Sequence, residues 1–244
     1  MPDLAALQAL AAMVDWPEGV VWAVSGPVDP AGLFPVERQA IARAVPSRQA
    51  EFAGGRGAAR AALAQLGLPP QPIPKGADRA PVWPEGVVAS LSHTAGLCLA
   101  VAARARDWRG LGVDLERALP LDPGLVPTIA SPAELDRLAP LEPGLAALHV
   151  FGAKEAAYKA QYPLTRSLFG FAAMEALLPD AGLRMVAATG LGQGAKLPMR
   201  QWRNGGLLLS LCALPQINRG DFAGRGYEVF PCGLTEPDGR KVKV

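Results

Sequence analysis

Leu111–Ala118 reads LGVDLERA, which sets two carboxylates, Asp114 and Glu116, at alternate positions at the end of an apolar run. In a strand, residues two apart project from one face with α-carbons roughly 7 Å apart, so the two acids share a patch while Leu115 between them turns into the core. Left unpaired, such acids repel and one would hold a proton. A hard divalent cation resolves the conflict, because Mg²⁺ takes oxygen ligands, usually one or two carboxylates with water and substrate phosphate. A solvated strand end carries the same D-x-E pattern, so the pair needs support from elsewhere in the chain.

Working outward, VVASLSHT (87–94), LCLAVAA (97–103) and LGVDLE (111–116) read as three strands joined by turns, a small meander closing on the acid pair. Upstream, Arg48–Leu66 reads as an Ala- and Leu-rich helix stopped by Gly67, Pro69 and Pro70, with Arg56 and Arg60 one turn apart on one face. WPEGVV occurs at 16–21 and again at 83–88, read as one turn type used twice. The Pro-rich connector Arg117–Thr128 marks the boundary between two halves, residues 1–116 and 117–244. Beyond it, Ser131, Pro132 and Glu134 make a capping box, Leu145–Gln161 reads as a second long helix, and Arg184–Gly190 and Gly205–Leu214 supply strands. The order gives an α+β fold. Glu236–Val244 reads as a turn closing a short exposed hairpin.

Composition narrows the function. A chain of 244 residues, half of them apolar, can bury a real core. Lys+Arg 24 against Asp+Glu 22 leaves no general basic field, and aromatics at 6% make no stacking stripe, so nucleic acid is not an expected partner. The run 86–103 is broken by Ser90, Ser92, His93 and Thr94, which suits a hairpin and not a membrane span, and the start of the chain, with Asp3, lacks the basic region and small-residue cleavage pattern expected of a signal peptide. Cys98, Cys212 and Cys232 form no CxxC pair and point to a reducing cytoplasm. TGLGQGAK (189–196) lacks the Walker spacing and is a loop; no G-x-S-x-G or zinc ligand set is present.

The second long helix supplies the support that the acid pair needs. FGAKEAAYKA (151–160) places Phe151, Glu155 and Lys159 four residues apart, with Lys154 and Tyr158 on the adjoining stripe. A third carboxylate for a metal and cations for a phosphate thus lie within two turns. His93, at the end of an alternating strand beside a turn, stands where it can reach a ligand, whereas His149 is off the Glu155 face and receives no role.

Together, GVDLE (112–116), FGAKEAAYK (151–159) and the upstream ASLSHT (89–94) resemble, in order and spacing, the signature of the 4′-phosphopantetheinyl transferases. EFAGGRGAARAALAQLG (51–67) and IPKGADRAPVWPEGVVASLSH (73–93) are similar to segments of its enterobactin-synthetase D-component and surfactin branch; the resemblance runs from about Arg48 to Tyr162. It implies two pseudo-symmetric halves, each a small antiparallel sheet packed with helices, with the active site in the cleft between them. It further implies transfer of the phosphopantetheine arm of coenzyme A to a serine of an apo acyl or peptidyl carrier protein, Mg²⁺ on the pyrophosphate, and release of adenosine 3′,5′-bisphosphate.

Carried onto this chain, the resemblance makes Asp114, Glu116 and Glu155 metal ligands, with Glu155 or a water near it the base for the acceptor serine. Lys159, His93 and Lys154 face the pyrophosphate, while Arg48, Arg56 and Lys75 hold the adenosine end and its 3′-phosphate with Ser92 beside them. Gly152 departs from the family's usual small polar residue and Leu115 from its frequent Ala. A chain with both halves can form the cleft as a monomer. The carrier's pathway, whether fatty-acid, polyketide, nonribosomal peptide or siderophore synthesis, stays open. So do two other readings of the same residues: a Mg²⁺-dependent phosphohydrolase on a nucleotide-like substrate, and a non-catalytic binder of coenzyme A or a carrier.

Overall fold

The computed structural model describes residues 3–216. Cys232 and the hairpin expected at 236–244 lie outside them. Strand pairing gives three antiparallel three-stranded sheets. The first joins β1 (Val21–Ser25), β2 (Val87–Thr94) and β3 (Leu97–Arg104), with β3 in the middle. Both edge strands are entered through the repeated WPEG turn, whose Gly19 and Gly86 sit at φ +74° and +72°, a left-handed backbone that favours glycine. The repeat is therefore one turn used twice.

Helix α2 (Pro35–Ile41) and the long helix α3 (Pro46–Gln65) belong to this half, and helix α1 (Leu4–Ala12) packs against β1 and the second sheet alike. Buried Glu37 on α2 accepts both contacts from Arg60 Nη1 at 2.8 and 3.0 Å and the Ile73 N–H at 2.8 Å. Those bonds tie α2, α3 and the loop entering β2 together. The shared face expected for Arg56 and Arg60 thus divides its work, since Arg56 Nε donates to the Ile73 carbonyl at 2.8 Å.

Strand β4 (Trp108–Arg117), which carries the acid pair, differs from its sequence reading. It hydrogen-bonds to β9 (Leu207–Pro215), which in turn pairs with β8 (Arg200–Asn204). By pairing, β4 opens the second sheet, directly after the turn at 105–107. Alternation fixes which side chains face the core but not which strand lies alongside. β2 still runs next to β4, joined through side chains: Ser90 and Ser92 Oγ accept the N–H groups of Val113 and Leu115, each at 3.1 Å.

The apolar face of β4, Leu111, Val113 and Leu115, meets Leu207, Leu209 and Leu211 of β9 and Leu7 and Leu10 of α1 in one buried cluster. The opposite face of β4 receives the helix α6 (Pro143–Thr165), longer than the Leu145–Gln161 expected because Glu142 caps its first turn and Pro163 is accommodated near its end. Short helices α4 (Val126–Ile129) and α5 (Pro132–Asp136) and the small sheet β5 (Met174–Ala176), β6 (Leu183–Met185) and β7 (Lys196–Leu197) cover the far side of α6. The capping box forms as read: Ser131 Oγ accepts the Glu134 N–H at 3.3 Å and Glu134 Oε2 accepts the Ser131 N–H at 2.8 Å.

Candidate active site

Gly112 decides how α6 meets β4. A Cβ there would sit 1.9 Å from the Ala156 carbonyl oxygen and 2.6 Å from Ala160 N, so only glycine allows the helix backbone to lie directly on the strand. Two residues on, the same face carries Asp114, and α6 brings Lys159 to it. Lys159 Nζ donates to Asp114 Oδ1 at 2.6 Å and to Ser92 Oγ at 3.2 Å, while Ser92 Oγ donates to the same Asp114 oxygen at 3.1 Å.

Asp114 is buried, and its Oδ2 has no hydrogen-bond partner. Burial, then the Asp114 charge, pushes the Glu116 carboxyl up to about 7, with a smaller contribution from Glu155. Burial also raises Glu155, opposed by Lys159 and reinforced by Asp114. Glu116 and Glu155 therefore both feel the Asp114 charge, with Lys159 opposing it. Among the described residues no group of three or more His, Cys, Asp or Glu stands together as a ready-made cage. A cation that keeps its waters needs only one or two carboxylates, and the unsatisfied Asp114 Oδ2 is an oxygen of the right kind. The buried Asp114 carboxylate thus suits such an ion.

A second cluster lies on the other side of β2. Arg48, Glu51, Arg56, Lys75 and His93 line a cavity of about 440 Å³ together with Arg79. Arg56 is stacked over Phe52 with its guanidinium carbon 4.3 Å from the ring centroid, and burial lowers its pKa to about 10. A neighbouring cavity of about 530 Å³ runs between the halves, walled by Asp78, Arg79 and Ser90 on one side and Tyr158, Lys159 and Arg166 on the other. Arg79 borders both cavities.

Two expected site residues stand elsewhere. Lys154 is buried, 2.8 Å from Glu134 Oε1 and 2.9 Å from the Ile129 carbonyl oxygen, so it ties α5 and the end of α4 to α6 and does not face the cleft. On a helix, neighbouring residues point about 100° apart, and Lys154 takes the inner side while Glu155 takes the cleft side. Ser92 belongs with Asp114 and Lys159 and not with the Arg48 group. His149 is buried with Nδ1 3.0 Å from Gln201 Oε1, in keeping with no role at the site.

Sequence reasoning missed Glu51, Asp78, Arg79 and Arg166. Asp78 Oδ2 accepts from Tyr162 Oη at 2.9 Å and Arg166 Nη1 at 2.7 Å, which links the loop of the first half to α6. Only Glu51 left a signal, being three residues from Arg48 on the same helix.

Residues 36–103 match the 4′-phosphopantetheinyl transferase N-terminal domain, and residues 110–212 match the 4′-phosphopantetheinyl transferase superfamily. The 4′-phosphopantetheinyl transferase Svp of Streptomyces mobaraensis is 44% identical over 173 residues, which is 66% of this chain and 70% of Svp. The chain belongs to the 4′-phosphopantetheinyl transferases. The transferase PptT of Mycobacterium tuberculosis is 46% identical over 149 residues, 59% of this chain and 65% of PptT. Enterobactin synthase component D of Salmonella typhi is 38% identical over 118 residues, 46% of this chain and 48% of that protein. In this transferase the gap between the two family matches, residues 104–109, spans the turn before β4. Among its described residues no helix is long and apolar enough to cross a membrane.

Proposed function

We propose that this transferase moves the phosphopantetheine arm of coenzyme A onto a serine hydroxyl of an apo acyl or peptidyl carrier protein, with Mg²⁺ as cofactor and adenosine 3′,5′-bisphosphate as the leaving product. The observation that carries the reading is the buried Asp114 carboxylate, bonded through one oxygen to Lys159, which lines the cavity between the halves with Arg79 and Arg166, and unpartnered at the other oxygen. Phosphoryl transfer needs alignment and charge neutralisation more than covalent help. Asp114, Glu116 and Glu155 would hold the ion, which supplies neutralisation of the pyrophosphate oxygens.

The chain's own groups do the rest. Arg48, Arg56 and Lys75 bind the 3′-phosphate and adenosine end, and His93 and Lys159 approach the pyrophosphate. The serine oxygen bonds to the phosphorus that carries the pantetheine arm, the bond from that phosphorus to the bridging oxygen breaks, and the bisphosphate departs with that oxygen. Glu155, whose carboxyl is raised by burial, or a water beside it, takes the serine proton. Lys159 remains close enough to balance charge on the departing oxygen. In this reading the enzyme works as a cytoplasmic monomer and meets the acidic face of its carrier through cations at the cleft mouth.

The test is intact-mass analysis of an apo carrier protein incubated with the enzyme, coenzyme A and Mg²⁺, with a parallel sample in EDTA. Gain of one phosphopantetheine arm only with the metal is expected. Release of bisphosphate with no gain on any carrier would replace transfer by hydrolysis, and tight coenzyme A binding with no turnover would replace it by binding alone.

A further inference from the structure

Among the described residues lining the cavity that holds Arg43, Arg48, Arg56, Lys75 and Arg79, Glu51 is the sole carboxylate. An acid in a site for anions weakens binding by repulsion unless it serves another group. Both of its oxygens are engaged. Oε2 lies 2.5 Å from Arg48 Nη1 and Oε1 lies 2.8 Å from His93 Nδ1. The triangle closes with Arg48 Nη1 at 2.9 Å from His93 Nε2.

These contacts define the state of the imidazole. A guanidinium nitrogen can only donate, so Nε2 accepts; the proton of the neutral ring is then on Nδ1, the nitrogen that faces the Glu51 carboxylate at 2.8 Å. The groups around the ring act in both directions. Burial lowers its pKa most, Glu51 raises it, Arg48 from the same helix and Lys159 from α6 lower it, and Asp114 from β4 raises it.

We infer that Glu51 is a positioning residue, which holds His93 as the Nδ1–H tautomer and clamps Arg48 beside it, so that the two meet an incoming phosphate as a preset pair. The role in phosphate binding rests on the proposed coenzyme A reading, whereas the tautomer is a property of the free protein. A phosphate oxygen takes the Arg48 hydrogen bond away from Nε2. It can then accept from Nε2 only after the ring gains a proton from water, and Glu51 on the opposite side is the counter-ion for that imidazolium.

The test is long-range ¹⁵N–¹H NMR of the histidine rings. The chain has two histidines, so His149 serves as the internal control for the fold. In the free wild type, His93 is expected with Nδ1 protonated and Nε2 bare. Glu51→Ala should move it toward the Nε2–H tautomer and raise the KM for coenzyme A about tenfold, the loss of roughly one charged hydrogen bond. Glu51→Gln keeps a carbonyl acceptor and should retain the Nδ1–H tautomer, with a smaller rise in KM. An Nε2–H ring in the wild type, or a tautomer unmoved by Glu51→Ala while His149 reports an intact fold, overturns the inference. If the tautomer behaves as expected but coenzyme A leaves the His93 signals in place, the positioning stands and the assignment of the cavity falls.

Discussion

Substituting Gly112 by alanine tests whether helix-on-strand contact sets the active site. The added Cβ would lie 1.9 Å from the Ala156 carbonyl oxygen, about 1.5 Å inside ordinary van der Waals contact, and both obstructing atoms are backbone. Neither can rotate aside, so α6 must move away from β4. Overpacking against an unyielding backbone belongs at the upper end of the usual range, about 3 kcal/mol. For a chain of this size that lowers Tm by about 6–12 °C. The same movement takes Lys159 off Asp114, a bond of 2.6 Å, and carries Glu155 with it. Misplacement of reacting groups by about 1 Å reduces turnover on the order of 10²-fold. Gly57→Ala in α3 is the control, because nothing lies within 4 Å of its Cβ and alanine is the better helix former by about 1 kcal/mol. Thermal melts and carrier-modification rates of both variants decide the matter. A Gly112→Ala enzyme as stable and active as Gly57→Ala would refute the reasoning.

Three further outcomes follow from the geometry. Lys154→Met leaves Glu134 buried without its cation and should destabilise by about 3–5 kcal/mol in urea unfolding; lost activity at unchanged stability would return Lys154 to the cleft. Mg²⁺ without substrate should raise Tm, by about 2.7 kcal/mol of stabilisation at a hundredfold its dissociation constant, and Asp114→Asn should abolish the rise; an equal rise in the variant would put the ion elsewhere. Burial holds the His149 pKa below its usual 6.5, with Gln201 opposing and Arg203 adding to the effect. The unfolded chain then binds the proton first, so this contribution to stability is complete above about pH 6.5 and is lost as pH falls below it. His149→Gln should lack that component in melts between pH 7.5 and 5, and an unchanged acid slope would assign it to other groups.

The local chemistry was legible in the sequence because it is periodic. Alternation in LGVDLE put Asp114 and Glu116 on one face, the four-residue spacing in FGAKEAAYK put Glu155 and Lys159 on another, and turn and cap residues bounded the elements that carry them. The same rules set the α+β class. What the sequence left open was every question of neighbourhood. Strand β4 pairs with β9, nearly a hundred residues later, because the Leu207, Leu209 and Leu211 face covers Leu111, Val113 and Leu115. Nothing in a 2-residue or 3.6-residue period names that partner.

The same limit governed the site. Lys154 and Lys159 flank one helix stretch and read alike, yet α5 meets one and β4 the other, and this alone separates a buried structural ion pair from a cleft cation. Asp78 and Arg79 carry no local pattern of their own, and Glu51 only its spacing from Arg48. Their places at the cavities come from Arg48 and His93 converging across α3 and β2, and from the loop of the first half reaching Arg166 just past the end of α6. Sequence periodicity determined which groups each element offers; only tertiary packing decided which of them meet, because burial and hydrogen bonding between distant elements act through space and not along the chain.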